Sequence, residues 1–211
     1  MATYKTKGVV IKRQTLREAD RIVVLYTQNM GKVATIAKGV CKINSRICAE
    51  VELFNLTDFV LAEGRNLAII KAAKTERNFK GLKNSLAKLS HAYFMAEMVD
   101  RLTPDNHRDS RIFRLMLDAF SLLEPLPEDD YKIKIITSSF ALKFLSLLGF
   151  APELRHCVSC QQELSAGDNY FSPLAGGILC TKCRHEDESS LKQSIAGIKI
   201  MRYLHTQPIG E

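Results

Sequence analysis

The spacing of the apolar residues changes near residue 80, and this change constrains the fold more than any other feature of the sequence. Before it, apolar residues alternate with a period of two, which is typical of strands. Five short β-rich runs show this pattern, at residues 6–13, 21–27, 33–39, 51–62 and 67–75. The segment QNMGK (28–32) predicts a hairpin loop, and EGRN (63–66) predicts a turn. Five short strands must close on themselves to bury both edges, so we expect an OB-type or SH3-like barrel.

After residue 80 the apolar residues repeat with the period of a helix. Two stripes predict core-facing helices, one formed by Leu86, Leu89, Tyr93, Ala96 and Val99 and the other by Ile112, Met116, Phe120 and Leu123. Residues 132–150 are apolar around much of the helix circumference, which predicts the buried central helix of a bundle, ending at Gly149. The carboxylates of EPLPEDDY (124–131) suit the N-terminus of that helix. Residues 189–205 predict a final helix with a serine cap.

Positive charge is concentrated in the strand-rich part of the chain. Residues 1–80 contain 15 lysine and arginine residues against 7 aspartate and glutamate residues, whereas residues 81–211 contain 15 against 16. Such an asymmetry favours a polyanionic partner, usually nucleic acid, although solvated faces without a partner also show it. The N-terminal segment MATYKTKGVV lacks the long apolar stretch typical of a signal peptide, and no segment has the roughly 18 consecutive apolar residues of a membrane span. We therefore expect a cytoplasmic protein without membrane contact.

Two Cys-x-x-Cys pairs lie towards the C-terminus. Cys157 and Cys160 are separated from Cys180 and Cys183 by 19 residues, which is a spacing typical of a four-thiolate zinc site. The glycine pair in PLAGGILC (173–180) can turn a short hairpin that delivers the third cysteine. Because four thiolates fill the coordination sphere, we expect the Zn²⁺ to be structural. Four unliganded thiols or an oxidised pair are the alternative.

Other chemistry at the cysteines and elsewhere is less well supported. His156 or His185 could replace a thiolate, although exposed histidines beside a finger are the commoner arrangement. The segment CRHEDE (183–188) lacks the His-x-Glu order of a zinc deaminase, and no βαβ pattern accompanies the pairs as in a thioredoxin-like protein. Cys41 and Cys48 lack a general base, and the sequence contains no phosphate loop, nucleophile elbow or His-Glu-x-x-His motif. We therefore expect a binding protein rather than an enzyme, with no catalytic residue.

Two segments carry a resemblance to a known family. The first spans residues 6–46 and contains Gly8, Glu18-x-Asp20-Arg21, Thr27, Gly31-Lys32, and Ala37-Lys38-Gly39 followed by Ser45. The second is FSPLAGGILCTKC (171–183), with its Phe-Ser-Pro, Gly-Gly and Cys-x-x-Cys elements. Together they resemble the RecO family of bacterial recombination-mediator and DNA repair proteins. The resemblance covers nearly the whole chain, and it leads us to expect more C-terminal sequence after residue 211.

The resemblance implies an α+β protein with two domains. Residues 1–80 would form a five-stranded OB-type barrel that binds nucleic acid, and residues 81–211 an α-helical bundle with an embedded four-cysteine zinc finger at residues 154–186. Family members bind single- and double-stranded DNA and anneal complementary strands without nucleotide hydrolysis. With RecR they help to load the RecA recombinase on strands covered by single-strand-binding protein. The resemblance thus implies these partners and a nucleoid-associated location in a bacterial cytoplasm.

The barrel cations supply a physical basis for DNA binding, because phosphates neutralised by lysine and arginine release counterions whatever the base sequence. The candidate DNA-binding residues are Lys12, Arg13, Arg17, Arg21, Lys32, Lys38, Lys42 and Arg46. Lys38, Lys42 and Arg46 share one loop and are the first candidates, whereas Arg17 and Arg21 could instead pair with neighbouring carboxylates. Two other interpretations are an adaptor with incidental positive charge and a zinc enzyme acting on nucleic acid, which would need an open coordination site.

Overall fold

The computed structural model describes residues 2–42, 44–164 and 167–209, and the chain divides into two units, residues 1–134 and 135–211. Five strands of the first unit form a closed barrel, namely β1 (Thr3–Thr15), β2 (Arg21–Thr27), β3 (Gly31–Ala37), β4 (Leu56–Ala62) and β5 (Ala68–Arg77). Their order is β1-β2-β3-β5-β4, and β3 pairs with β5 in parallel. The predicted OB-type barrel is thus confirmed. The division into domains at residue 80 stays a prediction.

The barrel encloses one apolar cluster to which all five strands contribute side chains. Val10, Val23, Leu25, Phe59 and Leu61 are fully or almost fully buried in this cluster. A β-bulge interrupts the pairing of β1 with β2 between residues 10 and 12. Such bulges bend a strand and increase its twist, which helps a short sheet to close.

Several strands begin at other residues than predicted, among them β1, which begins at Thr3 rather than at residue 6. The fourth strand starts at Leu56 rather than at residue 51, because residues 51–55 form turns in which Phe54 has a φ of 64°. The Phe54 ring packs edge-on against Tyr93 and Phe120, at centroid distances of 5.1 and 5.5 Å. The third strand starts at Gly31 rather than at residue 33. A Cβ atom at Gly31 would lie 1.9 Å from a backbone oxygen, so this position requires glycine.

Three helices follow the barrel in the first unit, α1 (Lys80–Lys83), α2 (Leu86–Leu102) and α3 (Ser110–Leu123). The apolar stripe predicted from Ile112, Met116, Phe120 and Leu123 lies on α3 and is confirmed, since these four side chains are buried. The stripe predicted for α2 is partly wrong, because Leu86 and Tyr93 are 82% and 47% exposed. The buried face of α2 is instead shifted around the helix and includes a lysine.

That lysine, Lys88, lies on the buried face of α2 and has hydrogen-bond partners there. Its ammonium group donates hydrogen bonds to the carbonyl oxygens of Glu124 and Leu126, at 2.9 and 2.8 Å. These carbonyls follow the C-terminus of α3, where the helix dipole favours a cation. Burying Lys88 in this way satisfies the two carbonyls and leaves less of the buried face to apolar residues.

The next helix, α4 (Lys132–Leu147), begins where the first unit ends. The carboxylate of Asp130 accepts a hydrogen bond from the backbone N–H of Lys132 at 2.9 Å, as the carboxylate run predicts. Gly149, with a φ of 89°, follows its last turn. Phe140 and Phe144 are fully buried, but Ile135 is 42% exposed. The prediction of a buried central helix is therefore only partly correct.

The second unit also contains a small sheet with the order β7-β6-β8, formed by β6 (Asn169–Ser172), β7 (Gly177–Cys180) and β8 (Leu191–Gln193). The last helix, α5 (Ile195–Thr206), is shorter than predicted, because residues 191–193 pair with β6 instead of joining the helix. Its cap is Ser194, whose hydroxyl accepts a hydrogen bond from the N–H of Gly197 at 3.0 Å. No helix in the described part of the chain is long and apolar enough to span a membrane.

Candidate metal centre and nucleic-acid interface

The four predicted zinc ligands come together in the second unit. The sulfur atoms of Cys157, Cys160, Cys180 and Cys183 all lie within 4.8 Å of one another, and those of Cys160 and Cys180 are 3.9 Å apart. Tetrahedral Zn²⁺ with Zn–S bonds of about 2.3 Å places its sulfurs about 3.8 Å apart. The donor atoms and their spacing therefore fit a Zn²⁺ ion, and the predicted cysteine cluster is confirmed.

Local structure delivers the two cysteine pairs to one place. The first pair lies in a turn closed by a 2.9 Å hydrogen bond from the N–H of Gln161 to the carbonyl of Cys157. The second pair begins at the last residue of β7, as the predicted hairpin requires. A Cβ atom at Gly177 would lie 2.4 Å from the carbonyl oxygen of Glu153. Glycine at this position therefore lets the segment before the first pair approach β7.

Backbone N–H groups favour charge on one of the sulfurs. Burial opposes ionisation of Cys157, but hydrogen bonds from the N–H groups of Cys180, Cys160 and Ser159 outweigh it and lower the pKa of the thiol to about 6. The Ser159 hydroxyl favours the Cys183 thiolate, but burial and the three other sulfurs outweigh it and raise the pKa of that thiol. Four thiolates this close repel one another, so a divalent cation supplies the charge that they need.

The histidines beside the cluster make other contacts. His185 Nδ1 lies 2.9 Å from the carbonyl oxygen of Lys182, and His156 Nδ1 lies 3.7 Å from a carboxylate oxygen of Glu153. Within the ranges that the structure describes, the group of side chains that could hold a metal consists of the four cysteines. Cys41 is exposed and lies outside this group.

Two loops with predicted DNA-binding residues meet at one end of the barrel. The N–H of Cys41 donates to the carbonyl of Ala19 at 3.1 Å, and the N–H of Gly39 donates to the Asp20 carboxylate at 2.7 Å. The segment after β3 is thereby held against the loop between β1 and β2. We call the cations of these two segments, together with the first residue of β2, the end surface, which consists of Arg17, Arg21, Lys38, Lys42 and Arg46.

The end surface has cations that are available to a ligand. Four of its five residues are exposed, and Arg21 is half-buried. None of the five forms a salt bridge within the described part of the chain. The alternative in which Arg17 and Arg21 pair with their neighbouring carboxylates is therefore not what the structure shows. Arg21 also lines a cavity of about 200 Å³ together with Arg13 and Thr15.

Three other predicted DNA-binding residues are engaged within the protein. Lys12 forms an ion pair with Asp100 at 2.7 Å, and Arg13 forms one with Glu52 at 2.5 Å. Lys32 is only 12% exposed in its side chain and lies 3.3 Å from a carboxylate oxygen of Asp105. Its ammonium group also donates to the backbone carbonyl of Asp100 at 2.5 Å. Lys32 therefore joins the barrel to α2 and to the segment after it.

Comparison with known proteins places both parts of the chain in one family. Residues 1–79 match the family model for the Recombination protein O N terminal, and residues 83–211 match the model for the Recombination protein O C terminal. The chain belongs to the RecO family. The resemblance seen in residues 6–46 and 171–183 is thus confirmed.

Several RecO relatives align with almost the whole chain, and each is named DNA repair protein RecO. The relative from Roseiflexus sp. (strain RS-1) is 34% identical over 98% of this chain and 71% of its own length. The relative from Symbiobacterium thermophilum is 34% identical over 97% of this chain and 80% of its own length. The relative from Dehalococcoides mccartyi (strain ATCC BAA-2266 / KCTC 15142 / 195) is 32% identical over 98% of this chain and 79% of its own length.

Asp20, a residue of the RecO motif, connects the two loops of the end surface, because its carboxylate accepts a hydrogen bond from the Gly39 N–H. Replacing Asp20 with alanine removes the carboxylate that accepts the Gly39 N–H. We expect the free energy of unfolding to fall by about 1.5 kcal/mol, the usual contribution of a hydrogen bond to a charged group. Denaturant unfolding measures this loss, and hydrogen exchange at the Cys41 amide reports the loosening of the loop contact.

The neighbouring residue Glu18 provides the matched control, because it is exposed and two positions away. Its replacement with alanine should change stability by less than about 0.5 kcal/mol. Equal stabilities for the two variants, with the Cys41 amide equally protected, would contradict the role given to Asp20.

Proposed function

We propose that this protein binds single- and double-stranded DNA through the phosphates, anneals complementary strands and, with RecR, helps to load RecA on strands covered by single-strand-binding protein. A role in recombination and DNA repair is supported by membership of the RecO family. The protein would act at the bacterial nucleoid as a DNA-binding mediator without catalytic turnover.

The observation that carries this proposal is the end surface. Five lysine and arginine side chains without salt bridges in the described chain lie on two adjoining loops and at the start of β2 in an OB-type barrel. In OB-folds the loop between the first two strands is one of the elements that bind oligonucleotides. Cations of this kind bind phosphate oxygens and release counterions, so the affinity depends on salt rather than on base sequence.

Strand annealing follows from the same electrostatics. Two nucleic-acid strands repel each other through their phosphates, and a protein surface that neutralises some of these charges lowers that repulsion. The strands can then approach closely enough for their bases to pair. This account needs a cationic surface but no catalytic group.

We propose that the metal is Zn²⁺ and that its role is structural. Bound Zn²⁺ would act here as a cross-link between the two cysteine pairs, because four sulfurs fill a tetrahedral coordination sphere. Cys157 and Cys160 precede β6, whereas Cys180 and Cys183 follow the hairpin turn, so holding all four together fixes the hairpin. The acidic residues 186–188 beside the cluster argue against phosphate binding there.

Salt-dependent binding tests the proposed DNA interface. A variant with Lys38, Lys42 and Arg46 changed to alanine should bind a labelled single strand more weakly than the wild type does. The slope of log K against log salt should become shallower by about 2, since each phosphate contact contributes about 0.7 for single strands. Fluorescence anisotropy at several salt concentrations measures both quantities.

A control variant separates local contacts from total charge. Changing the exposed residues Lys80, Lys132 and Lys199 to alanine removes the same charge from other elements. This variant should keep nearly the wild-type slope. Weak binding by the wild type at low salt would reject the DNA interface, and equal slopes for the two triple variants would move it away from the end surface.

A further inference from the structure

A second cationic surface lies on the outer side of β1, β4 and β5. Cross-strand partners in an antiparallel sheet point to the same face, so the strand register defines which side chains share a row. One row on this face consists of Lys7, Asp58 and Lys74. The adjacent row consists of Lys5, Val60 and Ala72. The inward-facing residues between these rows are Thr6, Phe59 and Ala73, and Thr6 and Phe59 are buried. The lysines are thus presented on the outside of the barrel.

A groove runs along these rows and has a volume of about 460 Å³. Lys5, Lys7 and Lys74 line it, and Gln28 and Asn29 join them from the turn between β2 and β3. The N–H of Gln28 donates to the carbonyl of Lys7 at 2.9 Å, which holds that turn against β1. We call this feature the lysine groove.

The lining of the lysine groove has the chemistry of a nucleic-acid backbone site. Its ammonium groups suit phosphate oxygens, and the two side-chain amides can donate further hydrogen bonds. Val60 and Ala72 add small apolar side chains on which a sugar or a base can lie. Such a lining suits a polyanion that is bound through its phosphates, without contacts to particular bases, better than it suits a compact neutral ligand.

Two carboxylates on this face leave its net charge positive. Asp58 stands between Lys7 and Lys74 in its row, and Glu76 forms an ion pair with Lys7 in which both side chains are partly exposed. Exposed pairs of this kind are weak and are screened by salt, so a phosphate can replace the carboxylate. Lys71, exposed on the bulge of β5, adds a further cation.

The lysine groove and the end surface lie towards opposite ends of β1. Lys7 and Thr15 are eight residues apart on this strand, and Thr15 pairs with Arg21 of the end surface. At about 3.3 Å per residue, the separation along the strand is about 26 Å. This exceeds the Debye length of about 8 Å at physiological salt, so two bound backbones would repel each other only weakly.

We propose that the lysine groove binds the backbone of a second nucleic-acid strand while the end surface holds the first. This inference rests on the proposed function, because it identifies where the second strand of an annealing pair is held. One barrel would then carry two strands at once. Annealing would begin between strands that the same protein has already neutralised.

The test compares two variants of the full chain that lose the same charge. One variant changes Lys5, Lys7 and Lys74 to glutamine, and its control changes Lys80, Lys132 and Lys199 to glutamine. The probe is a labelled oligothymidine too short to reach both surfaces, and sedimentation with excess probe counts the strands bound per protein. The wild type and the control should bind two strands, and the groove variant one. The groove variant should anneal complementary strands about tenfold more slowly, in line with the effect of charged surfaces on association rates.

The outcomes separate this inference from the proposed function. A wild type that neither binds nor anneals DNA rejects both. A wild type that anneals DNA but binds one short strand, or a groove variant that matches its control, overturns the lysine groove and leaves the proposed function standing. Thermal melting checks that the groove variant is folded. If it is not, changing only Lys5 and Lys74 preserves the Lys7 ion pair and is judged by the same strand count.

Discussion

Replacing Cys157 with serine is expected to abolish stoichiometric Zn²⁺ binding and to unfold the region around the sheet of β6, β7 and β8. Among the described residues, the buried members of the apolar cluster at this site are Cys157, Tyr170, Leu179 and Cys183, and two of these four are candidate metal ligands. So small a core gives little stability of its own. Structural Zn²⁺ contributes about 10–16 kcal/mol in small zinc-finger peptides, which is as large as the whole stability of a typical domain.

Two measurements check this result. Elemental analysis of the purified protein gives the zinc content, which should fall from one ion per chain to none. Hydrogen exchange should show loss of protection in the hairpin of β6 and β7, while the barrel strands keep theirs. Replacing Cys41, an exposed cysteine outside the cluster, is the control and should change neither quantity. A Cys157 variant that keeps both its zinc and its protected hairpin would show that the cluster is not a structural zinc site.

Replacing Lys32 with methionine is expected to lower the free energy of unfolding by about 2 kcal/mol without changing the salt dependence of DNA binding. The side chains of Lys32 and Asp100 are only 12% and 18% exposed. Removing the cation leaves the backbone carbonyl of Asp100 without its donor. It also takes away one of the two cations at the Asp100 carboxylate, which keeps Lys12. A buried polar group that loses its hydrogen-bond partner typically costs about 1–3 kcal/mol. Denaturant unfolding measures the stability, and anisotropy titrations measure the salt slope.

Lys12 provides the control for Lys32, because both belong to the same ion-pair network. Lys12 pairs with the same aspartate, but its side chain is 42% exposed. Its replacement with methionine should cost less than about 1 kcal/mol, as is usual for exposed pairs. An unchanged unfolding midpoint for the Lys32 variant, together with a shallower salt slope, would return Lys32 to the DNA interface.

Some features of the candidate sites follow from short stretches of sequence. The spacing of the cysteines predicts their chemistry because each Cys-x-x-Cys pair is a local unit and the hairpin between the pairs has a glycine turn. The buried stripe of α3 is equally local, since residues three and four positions apart share one helix face. The basic character of the barrel also follows directly from residue counts.

Other features depend on partners far away in the chain. Residues 191–193 resemble the start of a helix, yet they form β8 because Phe171 and its neighbours offer strand partners. Residues 51–55 resemble a strand, yet they turn so that the Phe54 ring can pack against Phe120. In both cases packing and pairing outweigh a local preference that is worth only a fraction of a kcal/mol per residue.

The division between sequence and tertiary structure is clearest for the lysines. The sequence by itself determined that the chain begins with a basic five-stranded barrel of the OB or SH3 type and carries a four-cysteine cluster, because strand period, charge and cysteine spacing are properties of neighbouring residues. It could not separate Lys32, which is held by Asp100 and Asp105, from Lys38, which is exposed. Only the tertiary structure decided this, because a lysine is available to a phosphate only where no distant carboxylate or carbonyl has already satisfied it.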